Sequence, residues 1–493
     1  MAGEPRERLM APAYRGLVIG LLATTVCFAF EAMAVTTAMP VVAAALGGEH
    51  TYGLAFSLYL TGSLAATAAA GPWCDRAGPR PALLTGLGLM IVGLSLCGGA
   101  WDFGIFTLGR AVSGAGAGFL IVPVYVIIGQ VLPSALQPVM FGWFSAGWVV
   151  PSLVGPYVSG LLAQHASWRW PFLGVAPIVL VAVALTWPRV RHLGAPGPAP
   201  RGDAPVGSDG GPDTVHASRR DGRRRALLGV LLAAGVAAAQ WAAQSWGDPD
   251  TRATLPPAAI GAVVLAGIAT AAATAPRLMP RGVVRVARGL PAVVLARGLL
   301  TLAFFGAEAF IPLMLVDRYG LEPSIAGLAL TGGALGWTAG SFAQARGWLT
   351  KPGFLVTGSA LLAGCMAVIA AVVSVAATPW LLAGAWTLAG AGMGMALSTT
   401  SVLVLDYSDD ATRGRNSASL QMADMLGGVI GTAGAGTLYS LLLTPERAPG
   451  PGVFAVLTAS LAVSALLAAA TGARSGRRPA AVPSPSRTRG ESA

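Results

Sequence analysis

Apolar residues in this chain fall in long runs separated by short polar breaks. A run of about 20 such residues is the length of helix that crosses a hydrocarbon core of about 30 Å. The pattern predicts fourteen membrane-spanning helices. The first six run over 16–39, 52–72, 82–100, 103–129, 138–163 and 168–187. Two more cover 226–246 and 254–275, and the last six 290–315, 323–345, 353–376, 379–404, 416–443 and 452–472. The stretch 188–225 is rich in Pro, Gly and Arg, buries too little apolar surface to fold and reads as a disordered linker. The Pro/Ser/Arg-rich stretch 473–493 reads as a disordered tail.

Composition sharpens this picture. Of 493 residues 54% are hydrophobic and 11% charged, with a mean hydropathy of +0.67. A soluble protein carries about 25% charged residues, so a soluble enzyme, a disordered protein and a disulfide scaffold are excluded. The net charge of +11 and pI near 10.2 raise nucleic acid as a partner, and the placement of the charges decides against it. With the N-terminus inside, the inner loops and termini collect 26 of the 32 basic residues. The outer loops hold four, Arg169, Arg252, Arg318 and Arg447, and two, Arg110 and Arg297, fall within spans. Without the linker and tail the ratio is still 13 to 4. This is the positive-inside pattern. It predicts cytoplasmic N and C termini, an even number of spans and no nucleic-acid partner. Lys351 is the only lysine, a bias typical of a GC-rich, bacterial genome. The apolar stretch after the basic N-terminus is too long for a signal peptide.

The halves of the chain repeat. Gly114, Gly116, Gly118, Gly155 and Gly160 recur 276 residues later as Gly390, Gly392, Gly394, Gly431 and Gly436. Gly53 and Gly62 recur at 274 as Gly327 and Gly336, and Glu31 at 277 as Glu308. Inverted or parallel repeats of this kind underlie many carriers. The expected organisation is an N-terminal six-helix bundle (1–187), a cytoplasmic linker (188–225) and an accessory two-helix hairpin (226–275). A C-terminal six-helix bundle (276–472) and the tail (473–493) complete it.

Charge is scarce enough that five ionisable residues inside spans stand out: Glu31, Arg110, Arg297, Glu308 and Asp424. Such groups are costly in a membrane and mark functional or structural sites. At 1.5 Å per residue, Glu31 lies about 22 Å up span 1 and Arg110 about 10 Å below the outer end of span 4. The two can therefore pair. Glu308 falls at a similar level in span 9, but Trp386 stands where the repeat would put its arginine. Arg297 lies three turns below Glu308, too far for a direct pair. Asp424 shares a narrow face with Ser417, Gln421, Gly428 and Gly431, a face that packs closely or lines water. Each charge is a candidate for proton coupling, the alternative being a fixed ion pair that sets helix register. Proton coupling needs a carboxyl that loads and releases a proton as its surroundings alternate. Four isolated cysteines (Cys27, Cys74, Cys97, Cys365) and four loop histidines indicate no disulfide and no metal site. No Walker loop indicates ATP-driven transport.

Several motifs resemble those of the major facilitator superfamily. Gly71-Pro-Trp-Cys-Asp75-Arg76-Ala-Gly78-Pro-Arg80, between spans 2 and 3, is similar to that family's G-x-x-x-D-R-x-G-R-R/K signature, with Pro79 replacing the first of the final two basic residues. The resemblance implies that Asp75, Arg76 and Arg80 form a charge network that latches neighbouring helices as a conformational gate. No acid stands near 340–355 to form a matching latch in the second half. Glu31-Ala-Met-Ala-Val35-Thr-Thr-Ala38-Met39-Pro40 resembles the first-span motif of fourteen-span drug:proton antiporters (EmrB/QacA-like), with Glu for Asp. Arg110-Ala-Val-Ser-Gly114-Ala-Gly116 resembles the span 4 motif linked to proton handling. Pro151-Ser-Leu-Val-Gly155-Pro156-Tyr-Val-Ser-Gly160 resembles the span 5 antiporter motif G-x-x-x-G-P-x-x-G-G, with Pro151 and Ser159 for two of its glycines. Trp168-Arg169-Trp170 precedes span 6.

The expected fold is therefore all-α and membrane-integral, two pseudo-symmetric six-helix bundles plus two extra helices. The expected activity is proton-coupled efflux of small amphipathic or cationic compounds by alternating access, in the inner (plasma) membrane. The proton gradient is the energy source, with no cofactor, and the chain is read as a monomer among membrane lipids. Glu31, Glu308, Arg110 and Asp424 are the proton-coupling candidates. Trp143, Trp148, Phe305, Trp386 and Gln421 are candidates for the substrate cavity, although core packing accounts for most aromatics. Open alternatives are an exporter of a lipid, siderophore or endogenous metabolite, an uptake symporter, and a non-transporting scaffold or sensor.

Overall fold

The computed structural model describes residues 9–12, 14–133, 136–191, 212–246, 256–375, 377–408, 413–443 and 450–476. Among them every regular element is helical, as hydrocarbon requires, because a helix satisfies its backbone groups within one crossing segment. The first half holds α1 (Arg15–Leu46), α2 (Leu54–Ala77), α3 (Pro79–Gly99), α4 (Phe103–Val131), α5 (Gln137–His165), α6 (Trp170–Leu173) and α7 (Val175–Val190). A hairpin of α8 (Pro212–Ser245) and α9 (Pro257–Leu278) follows. The second half holds α10 (Leu290–Glu308), α11 (Ile311–Tyr319), α12 (Pro323–Ala345), α13 (Lys351–Ser374), α14 (Pro379–Asp406), α15 (Arg413–Leu442) and α16 (Pro451–Gly472). Many of the long helices carry Pro in their first turn, where the missing N–H has no intrahelical partner to lose.

Among the described residues, twelve helical segments are long and apolar enough to cross a membrane, against the fourteen spans expected. The two outside that set are α5 and α12, of 29 and 23 residues. They pack on each other. Gly160 lies against the Ser324 backbone and Gly327 against the Pro156 carbonyl. Thr331 Oγ1 donates to the Leu153 carbonyl at 3.0 Å, and Ser324 Oγ meets Gln164 Oε1 at 3.1 Å.

Two of the expected spans are interrupted within a single crossing, and the expectations for the linker and the tail are corrected. Span 9 is broken, ending as α10 at Glu308 and resuming as α11 at Ile311. Pro312 has no N–H to give the Glu308 carbonyl, so the ladder is interrupted there. Span 6 is divided at Gly174. Of the expected linker 188–225, residues 188–190 extend α7, 192–211 lie outside the described residues, and 212–225 are helical, the start of α8. Pro212 and Asp213 suit a helix start, and Ala and Arg are good helix formers. The expected tail is ordered at its beginning. Ser475 is buried, its carbonyl accepts from the Tyr407 hydroxyl, and Gly289 N donates to the Arg474 carbonyl at 3.1 Å. Residues 477–493 lie outside the described residues.

The helices pack in two groups of the same plan. In the first, α4 lies between α2 and α3, and α1 packs on α5 and α7. In the second, α14 lies between α12 and α13, and α10 packs on α15 and α16. The sequence repeat is reproduced contact by contact. Gly114 abuts the Tyr59 carbonyl and Gly390 the Gly333 carbonyl; Gly118 abuts that of Ser63 and Gly394 that of Trp337. Thr67 donates to the Gly118 carbonyl, and its equivalent Ser341 to that of Gly394. No Cβ fits at these glycines, so their recurrence follows from helix separation.

The halves meet along two seams, α5 with α12 and α2 with α15, where Gly53 lies against Gly436. Among the described residues the hairpin covers the second seam, α8 packing on α2 and α15 and α9 on α8. The end of the bundle at which α1 starts carries Arg80, Arg281, Arg285, Arg288, Arg346 and Lys351, and is called here the arginine-rich end. The opposite end is closed between the halves. Tyr52 packs against Phe310 and Tyr439 with centroids 5.2 and 6.3 Å apart, and its hydroxyl donates to the Ala309 carbonyl at 3.2 Å.

Candidate functional site

In the first half, α4 carries Arg110 into the bundle and α1 brings Glu31 to it. Arg110 Nη1 donates to Glu31 Oε1 at 2.8 Å, with both side chains almost wholly buried. Arg110 Nε donates to the Ala55 carbonyl at 3.0 Å, and its guanidinium lies 4.2 Å from the Tyr59 ring centroid. The arginine is thus held by three helices. Glu31 Oε2 and the Tyr59 hydroxyl are buried and make no well-formed hydrogen bond to a described residue. The depths of the two residues allowed this pair. Tyr59 carries no signal in the linear sequence, because helical spacing assigns a residue to a face without saying what meets it.

Glu308, at the end of α10, makes no ion pair or hydrogen bond to a described residue. It lines a cavity of about 70 Å³ together with Phe305, Thr36, Tyr59, Arg110 and Thr432. Residues of both halves form its wall; Glu308 lines it directly, and Glu31 is linked to it through Arg110, which lines it too. The space admits a few water molecules and is too small for a drug-sized molecule. Directly beyond Glu308 the helix breaks, and the freed Ala309 carbonyl takes the Tyr52 hydroxyl of the other half. Pro312, four residues after Glu308, is the signal in the sequence that marks this break.

Arg297 and Asp424, both singled out as buried charges, pair with each other. Arg297 Nε donates to Asp424 Oδ1 at 2.6 Å, and Nη1 reaches the Leu397 carbonyl, Thr400 Oγ1 and Ser401 Oγ at 3.1–3.3 Å. Such a geometry fastens α10, α14 and α15 together nearer the arginine-rich end. Gln421, one turn before Asp424, is exposed.

The motif between α2 and α3 makes a tight turn. Gly78, at φ 79°, ends α2 and caps α3, and Pro79 opens α3. Pro at that position is favourable, which accounts for the departure from the family signature. Arg80 donates to the Arg191 carbonyl at 2.9 Å and lies 5.1 Å from the Trp187 ring centroid. It ties α3 to the end of α7 within one half, a cation against the last carbonyls of a helix. Arg76 is exposed, Gly71 has open space beside it, and the Asp75 side chain lies outside the described residues. In α5, Pro151, Gly155, Pro156 and Gly160 are buried, the last two on the seam with α12.

Of the aromatic cavity candidates whose side chains are described, only Phe305 lines the void. Trp386 is corrected to a core residue, since it is wholly buried and stacks on Phe304 at 4.7 Å. Trp143 is 46% exposed on one face of α5 with Val150, Val154 and Tyr157, a face suited to lipid. The Trp148 side chain lies outside the described residues. Among the described residues no three His, Cys, Asp or Glu side chains come together as a metal site.

Residues 21–432 match the family described as Major Facilitator Superfamily. A protein of Mycobacterium tuberculosis described as a probable multidrug-efflux transporter is 33% identical over 206 residues, 42% of this chain and 43% of that one. An efflux pump of Gibberella moniliformis is 28% identical over 185 residues, 37% of this chain and 33% of that one. The chain spans less than half the length of these relatives. The crystal structure of a peptide transporter in complex with alafosfalin superposes with a TM-score of 0.62 at 12% identity, covering 92% of this chain and 93% of that one. That likeness concerns the fold alone.

Proposed function

The chain belongs to the Major Facilitator Superfamily, a multi-pass membrane transporter of small molecules rather than an enzyme, and on that premise we propose that it is a proton-coupled efflux carrier for small amphipathic or cationic compounds. The observation that carries this reading is the void shared by the halves, with the Glu31–Arg110 pair on one side and the unpaired Glu308 on the other. The relatives described as efflux pumps support the direction of transport.

In this reading the halves rock about the site by alternating access. Opening the end now closed by Tyr52 brings the void into contact with water. A proton there neutralises Glu308, and a second neutralises Glu31. A neutral Glu31 no longer holds Arg110, and Arg110 keeps its Ala55 and Tyr59 contacts. Re-opening at the arginine-rich end admits the substrate, whose positive charge takes the place of the protons and whose apolar part contacts Phe305. Asp75, Arg76 and Arg80 form the gate at that end, and Asp424 is held by Arg297 as a second latch. The pump crosses the plasma membrane fourteen times with both termini in the cytoplasm, as fourteen-span drug:proton antiporters do, and acts as a monomer without a cofactor.

The test is efflux of a panel of cationic dyes and drugs from vesicles containing the purified protein, with a pH gradient imposed and then collapsed. Gradient-driven efflux of at least one cation is expected. Transport indifferent to the gradient, or uptake in the direction of proton flow, removes the antiport reading.

A further inference from the structure

The connection between α9 and α10 forms a compact basic loop over an apolar cleft. Residues 279–289 read Met-Pro-Arg-Gly-Val-Val-Arg-Val-Ala-Arg-Gly, so valine and arginine are interleaved. The loop is built tightly. Ala287 N and Arg285 N both donate to the Gly282 carbonyl at 3.1 Å, Gly282 has φ 93° and Val286 has φ 50°. A β-branched residue in the left-handed region costs backbone strain that the surrounding contacts must offset. Val284 is 76% exposed, and Arg281, Arg285 and Arg288 are exposed beside it. None of these arginines pairs with a carboxylate among the described residues. An exposed valine among unpaired arginines is poorly suited to bulk water and well suited to a membrane interface, where apolar and charged groups find different partners at one level.

Beneath the loop lies an apolar cleft of about 380 Å³ between the end of α9, α10 and α15. Leu295, Leu299, Leu302, Leu426 and Ile430 line it, and Arg281 and Arg285 stand at its mouth. Its floor is the crossing of α10 and α15, where Gly427 lies against the Gly298 carbonyl and Gly431 against that of Leu302. Gly298 and Ala423, neighbours in sequence of Arg297 and Asp424, are part of its wall. The cleft is thus separate from the void at Glu308 and backs onto the Arg297–Asp424 pair.

We propose that this cleft is a binding site for an anionic phospholipid drawn from the leaflet at the arginine-rich end. Arg281 and Arg285 hold the phosphate, and an acyl chain lies along the leucines of α10 and α15. Basic pockets between membrane helices suit anionic headgroups in this way, because charge and apolar surface are matched at the depth where a phospholipid presents both. A lipid seated there braces the α10–α15 crossing and so links leaflet composition to the stability of the second half.

The experiment is native mass spectrometry of the full-length protein, delipidated and titrated with dioleoyl phosphatidylglycerol, dioleoyl phosphatidylcholine, dihexanoyl phosphatidylglycerol or inorganic phosphate. One tightly held dioleoyl phosphatidylglycerol per chain is expected, with phosphatidylcholine about tenfold weaker. Arg281→Gln with Arg285→Gln should remove that preference, and Arg346→Gln, at the same end but away from the cleft, should keep it. Three results overturn the proposal: equal binding of both dioleoyl lipids, loss of the preference in Arg346→Gln, or inorganic phosphate displacing the lipid at equal concentration. Dihexanoyl lipid binding as tightly as dioleoyl would overturn the acyl-chain assignment. The arginines are on the surface, and circular dichroism of the double variant verifies that it is folded before titration.

Discussion

Arg110 and Trp386 occupy equivalent positions in the two halves and are packed in opposite ways. Arg110 lies under the Tyr59 ring and against Glu31, whereas the Trp386 indole is directed at Gly333, the equivalent of Tyr59, and stacks on Phe304. The exchange is reciprocal, since where the first half has a large ring beside an arginine, the second has no side chain beside a large ring. Glu308 consequently has no counterpart to Arg110 and faces the shared void without a partner. Two carboxylates related by a repeat thus have different electrostatic surroundings.

Removing the charge of Glu31 should be costly to the fold. Glu31→Gln leaves Arg110 buried without its anion, and breaking such a pair costs about 3–5 kcal/mol. Thermal unfolding of the purified protein should show a clear loss, and Glu31→Gln with Arg110→Gln should recover part of it. Gradient-driven transport should stay absent in both. A double variant destabilised by the full sum of its singles would show that the two residues are not coupled.

Glu308→Gln should separate function from stability. Glu308 holds no ion pair, so the change in unfolding free energy should stay within about 1 kcal/mol, while dependence of efflux on the pH gradient is lost. Normal gradient dependence in this variant would exclude Glu308 from coupling.

Arg297→Lys should weaken the second half although it keeps the charge. Lysine cannot reach Asp424 and the Leu397 carbonyl, Thr400 and Ser401 at once with a planar fork. A loss of about 1–3 kcal/mol in thermal unfolding is expected, larger than that of Gln421→Ala at an exposed position of α15, one turn before Asp424.

The close helix crossings predict which glycines can be replaced. Gly390→Ala puts a methyl into the Gly333 carbonyl and should cost about 1–3 kcal/mol. Gly364→Ala, with open space around it, should be neutral or slightly stabilising. Comparison of the two unfolding temperatures checks this, and equal effects would contradict the packing described.

Tyr52→Phe removes the hydroxyl that joins the halves at the closed end. One hydrogen bond is worth about 1 kcal/mol, which corresponds to about a fivefold change in the ratio of closed to open states. Labelling of Thr432→Cys by a membrane-impermeant thiol reagent should be faster by about that factor in the Tyr52→Phe background.

Much of this was readable from the linear chain, and for physical reasons. Hydrocarbon forces helices of a set length, so the runs of apolar residues announce their number within two. Close helix crossings admit only small residues, so the glycines at offsets of 274 and 276 expose the repeat before any coordinates. Glu31 and Arg110 could be matched by depth because rise per residue is constant in a helix. The partner of Arg297 was not readable. Depth excluded Glu308, but the choice of Asp424 depends on how α10 and α15 are rotated against each other, and glycine contacts set that rotation. Trp386 shows the same limit, because its role depends on the space left by Gly333 on another helix.

The apolar runs, the scarcity of charge and the recurring glycines were enough to determine a multi-pass membrane protein of two related halves, since hydrocarbon sets helix length and close crossings admit only small residues. The carrier reading came from motifs that resemble the major facilitator superfamily. Which charges meet, where α10 breaks, and which side chains surround the void were decided only by the packing of helices distant in sequence. Periodicity fixes the face a residue occupies, and only tertiary contact determines what that face touches.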